Sequence, residues 1–165
     1  MKRIGIISDT HSCWDDRFAF YFARCDEIWV AGDIGDIDTL RRIQGIGPAV
    51  RAVRGNIDYG EVKRECPEFL EFTVEECPVV MTHIGGYPGR YAPGMRQRLV
   101  DSGARLMVAG HSHILKVMHD NNLGVLHINP GAAGRQGWHK ERTLIRLTID
   151  GPKITDLEVI HLTRS

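Results

Sequence analysis

Five times along this chain an apolar, strand-like run ends directly in aspartate, asparagine or histidine, and this recurrence constrains the fold more than any other feature. The first run, Ile4 to Ser8, leads into Asp9-Thr10-His11. Ile28 to Ala31 leads into Gly32-Asp33-Ile34-Gly35-Asp36, and Ala49 to Arg54 into Gly55-Asn56-Ile57-Asp58. Val79 to Thr82 stops at His83, and Met107 to Ala109 stops at Gly110-His111-Ser112-His113. In an open α/β sheet, ligands bind beyond the carboxyl ends of the strands. Five such ends predict one crevice lined by carboxylate, amide and imidazole.

The connecting segments support that layout. Ser12 to Asp15 reads as a capping box, followed by Trp14, Phe18, Tyr21, Phe22 and Cys25 at helical spacing. A second helix is expected with Asp38 as N-cap, Leu40 and Ile43 facing inward, and Gly45 past its end. Strand, helix, strand, helix, strand is the pattern of a parallel α/β sheet. From Glu68 to Val74 the alternation has period two, and Cys77-Pro78 turns it into the run ending at His83, which predicts an antiparallel pair. A third helix is expected with Pro93 in its first turn, Met95, Leu99 and Val100 on its apolar side, and Gly103 as its stop. Lys116 to His119 and Gly124 to Ile128 flank Asn121-Asn122, and Thr143 to Ile149 and Lys153 to Leu162 flank Asp150-Gly151-Pro152. This late β-rich half is expected to form its own antiparallel layer. No repeat or linker divides residues 1–165, so one domain is expected.

Charge decides part of the function. Lys+Arg 21 against Asp+Glu 21 gives no net field to attract long nucleic acid or a membrane. The 4 cysteines (Cys13, Cys25, Cys66, Cys77) lie outside every strand-end motif and form no C-x-x-C pair, which argues against a structural zinc site. They are expected to be free thiols in a reducing compartment. The short apolar run after Lys2 and Arg3 is too brief for a signal segment, and nothing approaches the roughly 20 apolar residues of a membrane span. A cytoplasmic location is expected.

Mixed nitrogen and oxygen donors suit a pair of divalent cations. Two such ions neutralise a phosphate ester, activate water and stabilise the leaving oxygen. Asp9 and His11 alternate on an extended turn and can reach one ion together, whereas His111 and His113 share that period-two geometry and can contact one metal each if the loop lies between the two ions. Asp33 is the candidate bridge between two ions, Asn56 offers a carbonyl oxygen, and His83 another imidazole.

The ordered motifs D-x-H, G-D-x-x-D, G-N-x-D, an isolated His and G-H-x-H resemble those of the calcineurin-like metallophosphoesterases, above all the small single-domain prokaryotic phosphodiesterases. That branch also carries a late Asn-Pro-Gly turn, here Asn129-Pro130-Gly131. The resemblance implies an α/β (α+β) four-layer sandwich of two mixed sheets flanked by helices. It implies one metal on Asp9, His11, Asp33 and His113, and another on Asp33, Asn56, His83 and His111. A hydroxide shared by the metals would attack phosphorus in line, with Asp33, Asn56 and His83 as candidate catalytic residues. Manganese is the usual activator in such enzymes, and iron, zinc or nickel suit the same ligands.

Many relatives place a proton-donating His directly after the Asn, where this chain has Ile57. A general acid contributes about 10²- to 10⁴-fold, so its loss points toward phosphodiesters with good leaving groups rather than monoesters. Asp58 then reads as a turn or capping residue, and Asp36 as structural or supporting the ligands. His119, His127 and His161 read as ordinary cross-strand residues, and His139 as a candidate for the missing acid. The Gly/Pro-rich stretch 84–93 reads either as a connector or as a pocket rim using Arg90 and a tyrosine. The expected partner is a small phosphodiester, with a homo-oligomer open on base rates alone. The alternative class is a non-catalytic interaction scaffold on the same fold, resembling the family's retromer subunit.

Overall fold

The computed structural model describes residues 1–162. In chain order, β1 (Lys2–Ile7), α1 (Asp16–Phe22), β2 (Glu27–Ala31), α2 (Ile37–Gln44), β3 (Ala49–Val53) and α3 (Gly60–Glu65) make the first half. They are followed by β4 (Phe69–Val74), β5 (Cys77–Thr82), β6 (Gly86–Tyr87), β7 (Arg90–Tyr91), α4 (Met95–Ser102) and β8 (Leu106–Val108). The chain then runs through β9 (Lys116–Asp120), β10 (Val125–Asn129), β11 (Arg142–Asp150) and β12 (Lys153–Leu162).

Two five-stranded sheets pack face to face, ordered β12-β11-β1-β2-β3 and β4-β5-β8-β10-β9. β1, β2 and β3 pair in parallel, and β8 runs parallel to both β5 and β10. Both sheets are mixed, because β11 joins β1 antiparallel while β4 and β9 flank the second sheet antiparallel. One core fills the space between the sheets, with Ile4, Ile6 and Trp29 facing Met81, Leu106 and Val108. A second lies under α1, α2 and α3, where Phe18, Phe22, Leu40, Ile43 and Val62 cover Ile7, Ile28 and Val30. A third lies under α4, with Met95 and Leu99 on Val80 and Met107. The result is helix, sheet, sheet, helix. β1 and β2 read as unbroken apolar runs because both of their faces are buried, as parallel strands require.

Several expectations are corrected. α1 starts at Asp16, capped by Asp15, whose side chain accepts from the Arg17 amide, and it ends before Cys25. Ser12 instead lies in a loop at φ 64°, donating its amide to the Ile34 carbonyl. The aromatic stripe survives the shift, because Trp14, Tyr21 and Cys25 still pack on the core under the helices. α2 is capped by Asp36 rather than Asp38, with Asp36 Oδ1 accepting from both the amide and the hydroxyl of Thr39. α3 had no forecast: it is one short polar helix with Val62 alone buried, too little for a periodic signal. Pro93 precedes the N-cap Gly94 of α4, and Val100 is 51% exposed because it sits about 100° round the helix from Leu99. The β11–β12 hairpin does not build a separate layer. β11 is buried along most of its length and enters the first sheet between β1 and β12.

Among the described residues, no helix is long and apolar enough to cross a membrane.

Candidate metal centre

All seven predicted site residues come from loops at the carboxyl ends of β1, β2, β3, β5 and β8. Five of them, Asp9, His11, Asp33, His111 and His113, have φ between 45° and 75°. That left-handed region is uncommon for residues with a Cβ, and such strain concentrates where geometry is functional. It turns each side chain back over the strand ends.

The strain is held by lacing between loops. The amides of Asp9, His11 and Ser12 donate to the carbonyls of Gly32, Asp33 and Ile34 at 2.8–3.0 Å. The Gly110 amide donates to the His83 carbonyl and the His111 amide to Asp9 Oδ2. Asp58, expected as a turn or cap, has a larger part. Its carboxylate accepts from the amides of Gly55 (2.7 Å), Gly35 (2.9 Å) and Ile34 (3.2 Å), fastening the β3 loop to the β2 loop. Two motif glycines are explained by close approach. A Cβ on Gly55 would lie 2.1 Å from Asp33 Oδ1, and one on Gly110 would lie 2.2 Å from Ser8 Oγ and 2.8 Å from Asp9 Oδ2.

The side chains converge as two groups, Asp9 with His11 and His113, and Asp33 with His83 and His111. His113 Nε2 is 3.2 Å from Asp9 Oδ1. Asp33 Oδ2 is 3.2 Å from His83 Nε2 and 3.4 Å from His11 Nε2, so one oxygen touches both groups. Its other oxygen accepts from the Ile57 amide. Asn56 Oδ1 lies 3.1 Å from His111 Nδ1. His83 Nδ1 is 2.7 Å from the Ala31 carbonyl, and donating there leaves the Nε2 lone pair facing the centre. Ser8, which sequence reasoning passed over, donates to Asp9 Oδ2 at 2.7 Å; nothing in the sequence distinguishes it from the buried run it ends.

Electrostatics favour cations here. Burial pushes the Asp9 carboxyl up, but the imidazoles of His11, His113 and His83 beside it and the hydrogen bond from the Ser8 hydroxyl outweigh it and hold Asp9 well below the usual carboxylate range. Burial likewise raises Asp33, yet His83 and the Ile57 amide bring it below its ordinary value. The Asp9 carboxylate beside it raises His11, and Asp33 and Asp9 raise His83 against its burial. The carboxylates therefore stay ionised and recruit positive charge. Asp9 Oδ1, His11 Nε2 and His83 Nε2 are buried without a hydrogen-bond partner. Orphaned donor atoms of both oxygen and nitrogen type, aimed at one space, fit divalent metals.

The other candidates separate. Asp36 caps α2 through the amide and hydroxyl of Thr39. His119 and His161 are exposed strand residues, as expected. His127 departs from that reading: it is 1% exposed and lines a pocket beside His111. His139 stands edge-on to His113 at 5.1 Å with Nε2 donating to the Gly134 carbonyl. Stretch 84–93 forms the β6–β7 hairpin, with Arg90 and Tyr87 on that same pocket.

A fold of two mixed sheets with mixed-donor ligands at the strand ends defines a class, the metal-dependent phosphoesterases. The chain belongs to the calcineurin-like phosphoesterase superfamily, whose domain matches residues 1–151. A probable metallophosphoesterase of Methanothermobacter thermautotrophicus is 30% identical over 167 residues, spanning 96% of this chain and 91% of its own. A structurally characterised archaeal phosphodiesterase superposes with TM-score 0.77 at 20% identity, covering 97% of this chain and 99% of its own. A single mutant of Vps29 from Entamoeba histolytica does so with TM-score 0.76 at 16% identity, covering 98% and 99%. The two structural likenesses establish the fold, and membership of the family implies divalent metals.

Proposed function

We propose that this protein is a dinuclear metal-dependent phosphodiesterase acting on a small phosphodiester. The observation that carries the reading is Asp33 Oδ2, placed 3.2 and 3.4 Å from imidazoles of two separate ligand groups. Asp9, His11 and His113 would hold one ion, His83, His111 and Asn56 the other, with Asp33 shared. When bound, the two cations would neutralise the phosphate and lower the pKa of a bound water. The chain's own contribution is to hold the ligands. Ala31 fixes the tautomer of His83, the Ile57 amide orients Asp33, and Ser8 and the His111 amide pin Asp9 Oδ2 so that Oδ1 faces the site. Ile57 places no proton donor where many relatives have one, which favours esters whose leaving group needs little help.

The test is hydrolysis of bis-p-nitrophenyl phosphate against p-nitrophenyl phosphate by metal-stripped protein, with Mn, Fe, Zn, Ni or Mg restored and bound metal counted. A diester preference with about two metals is expected, and Asp33→Asn should lose both ions and roughly 10³-fold in rate, equivalent to about 4 kcal/mol. Protein that binds no metal would overturn the reading.

The second reading is a non-catalytic scaffold. It draws on the likeness to Vps29 and on the exposed apolar side chains Ile57, Tyr59, Ile84 and Ile114 around the centre. Two bound metals without turnover of any phosphate ester would favour it.

A further inference from the structure

The group of Asp33, His83 and His111 lies between two depressions that meet at Ile84. One, of about 330 Å³, runs past Asn56 to Arg54 and Lys63 and also contains the carboxylates of Asp58 and Glu68. The other, of about 350 Å³, opens beside His111 and runs under the β6–β7 hairpin to Arg90, Lys116 and His127. No carboxylate lines this second pocket among the described residues.

Its roof is fixed rather than slack. The Ala92 amide donates to the Gly85 carbonyl at 3.0 Å, and the Tyr91 hydroxyl donates to Asp120 Oδ2 at 2.7 Å, tying β7 to β9. A Cβ on Gly85 would lie 2.5 Å from Met107 Cε, so the loop backbone lies directly on the sheet. Lys116 Nζ stands 3.6 Å above the Tyr87 ring, a cation–π contact that holds the ammonium at the pocket wall.

The floor is polar and incompletely satisfied. His127 shares a face of β10 with Val125 and Asn129. Asn129 is fully engaged, its amide nitrogen donating to the Gly110 carbonyl and to Ser112 Oγ. His127 Nδ1 is buried with no hydrogen-bond partner among the described residues. A buried polar group left so costs about 1–3 kcal/mol. Burial, with the Lys116 ammonium nearby, pushes His127 down to about 4, so the ring is neutral at pH 7 and can donate or accept. Among the described residues, neither Arg90 nor Lys116 has a carboxylate within ion-pair distance. Two cations without counter-ions, an aromatic ring and an unsatisfied imidazole therefore share one preformed pocket beside a ligand of the metal centre.

We infer that this pocket receives one alcohol arm of the diester, and that this arm carries a second phosphate held by Arg90 and Lys116, with a polar group of the arm against His127. The inference rests on the phosphodiesterase reading above and adds the chemical class of its substrate. Phosphate matches the guanidinium fork of Arg90 and the point charge of Lys116, whereas the companion depression offers such a group two carboxylates.

Two esters with the same leaving group separate the possibilities: thymidine 5′-(p-nitrophenyl phosphate) and its 3′-phosphorylated form. The second phosphate should raise kcat/KM about tenfold, chiefly through KM, the size of one charge-assisted hydrogen bond. Arg90→Met and Lys116→Met should each bring the ratio of the two substrates toward one. Calorimetry gives the same comparison without turnover: thymidine 3′,5′-bisphosphate should bind about tenfold more tightly than thymidine 5′-monophosphate, and the His127→Phe variant should weaken both. Both esters hydrolysed at equal rates by the wild-type protein would overturn the pocket assignment and leave the phosphodiesterase reading standing. Neither ester hydrolysed, with the bisphosphate still bound more tightly, would uphold the pocket and overturn the activity.

Discussion

Asp58 carries more of the centre's geometry than its side chain's distance from the ligands implies. Three backbone amides from two ligand loops end on its carboxylate, and it is 6% exposed. Replacing it by Ala leaves those amides unsatisfied, at a cost of about 3 kcal/mol. Asp58→Ala should therefore melt roughly 6–12 °C lower by calorimetry and lose occupancy at the ion held by Asn56 and His83, while Asp58→Asn, which keeps one acceptor oxygen, should lose less. An unchanged melting temperature in the Ala variant would show that the loops hold each other without it. That seven motif residues would converge on one crevice was legible in the sequence because each motif sits at the end of an apolar run. Their backbone conformations were not. Nothing in Asp-x-His states that Asp9 and His11 take φ 54° and 45°, because that strain is stabilised by the Gly32 and Asp33 carbonyls on a neighbouring strand end.

At the scale of elements, the connection between α1 and β11 is the least visible in the sequence. Asp15 caps α1 and also pairs with Arg142, whose Nη1 lies 3.1 Å from Asp15 Oδ2 although its side chain is fully buried. Arg142 Nε also donates to the Ala133 carbonyl, so one guanidinium joins the helix cap to the segment after the Asn-Pro-Gly turn. Asp15→Ala would leave a buried cation short of its carboxylate, and a loss of about 3 kcal/mol at pH 7 is expected. The sign with pH follows from the Asp15 carboxyl, which the Arg17 hydrogen bond holds well below the usual range. Stability from a depressed carboxylate is fully present above its unfolded value near pH 4 and is lost as pH falls through the folded value. The gap in melting temperature between wild type and Asp15→Ala should accordingly be constant from about pH 7 to 5 and shrink below about pH 4. A gap that stays constant into acid would mean that the charge of Asp15 is not what the variant removes. Strands β1, β2 and β5 were legible because buried strands leave apolar runs, whereas α3 and the β6–β7 hairpin were not, being held by contacts rather than by periodicity.

For the whole molecule, the candidate metal centre joins both sheets. Asp9, Asp33 and Asn56 come from the first, and His83, His111 and His113 from the second. Ions bound there would stabilise the packing of one sheet on the other by mass action. Free metal at about 100 times its dissociation constant adds about 2.7 kcal/mol, so chelation should lower the melting temperature by roughly 5–11 °C, reversed by restoring metal. A melting curve indifferent to chelator would argue that no ion spans the sheets. By itself the sequence determined the types and order of the strand-end residues and the parallel run of β1, β2 and β3, because each is written locally as an apolar run with its terminal residues. The tertiary structure alone decided that β11 and β12 complete the first sheet, that Asp33 reaches both ligand groups, and that His127 turns from a strand residue into the floor of a pocket. These depend on which distant segments share a face, and no local pattern encodes the packing that brings them together.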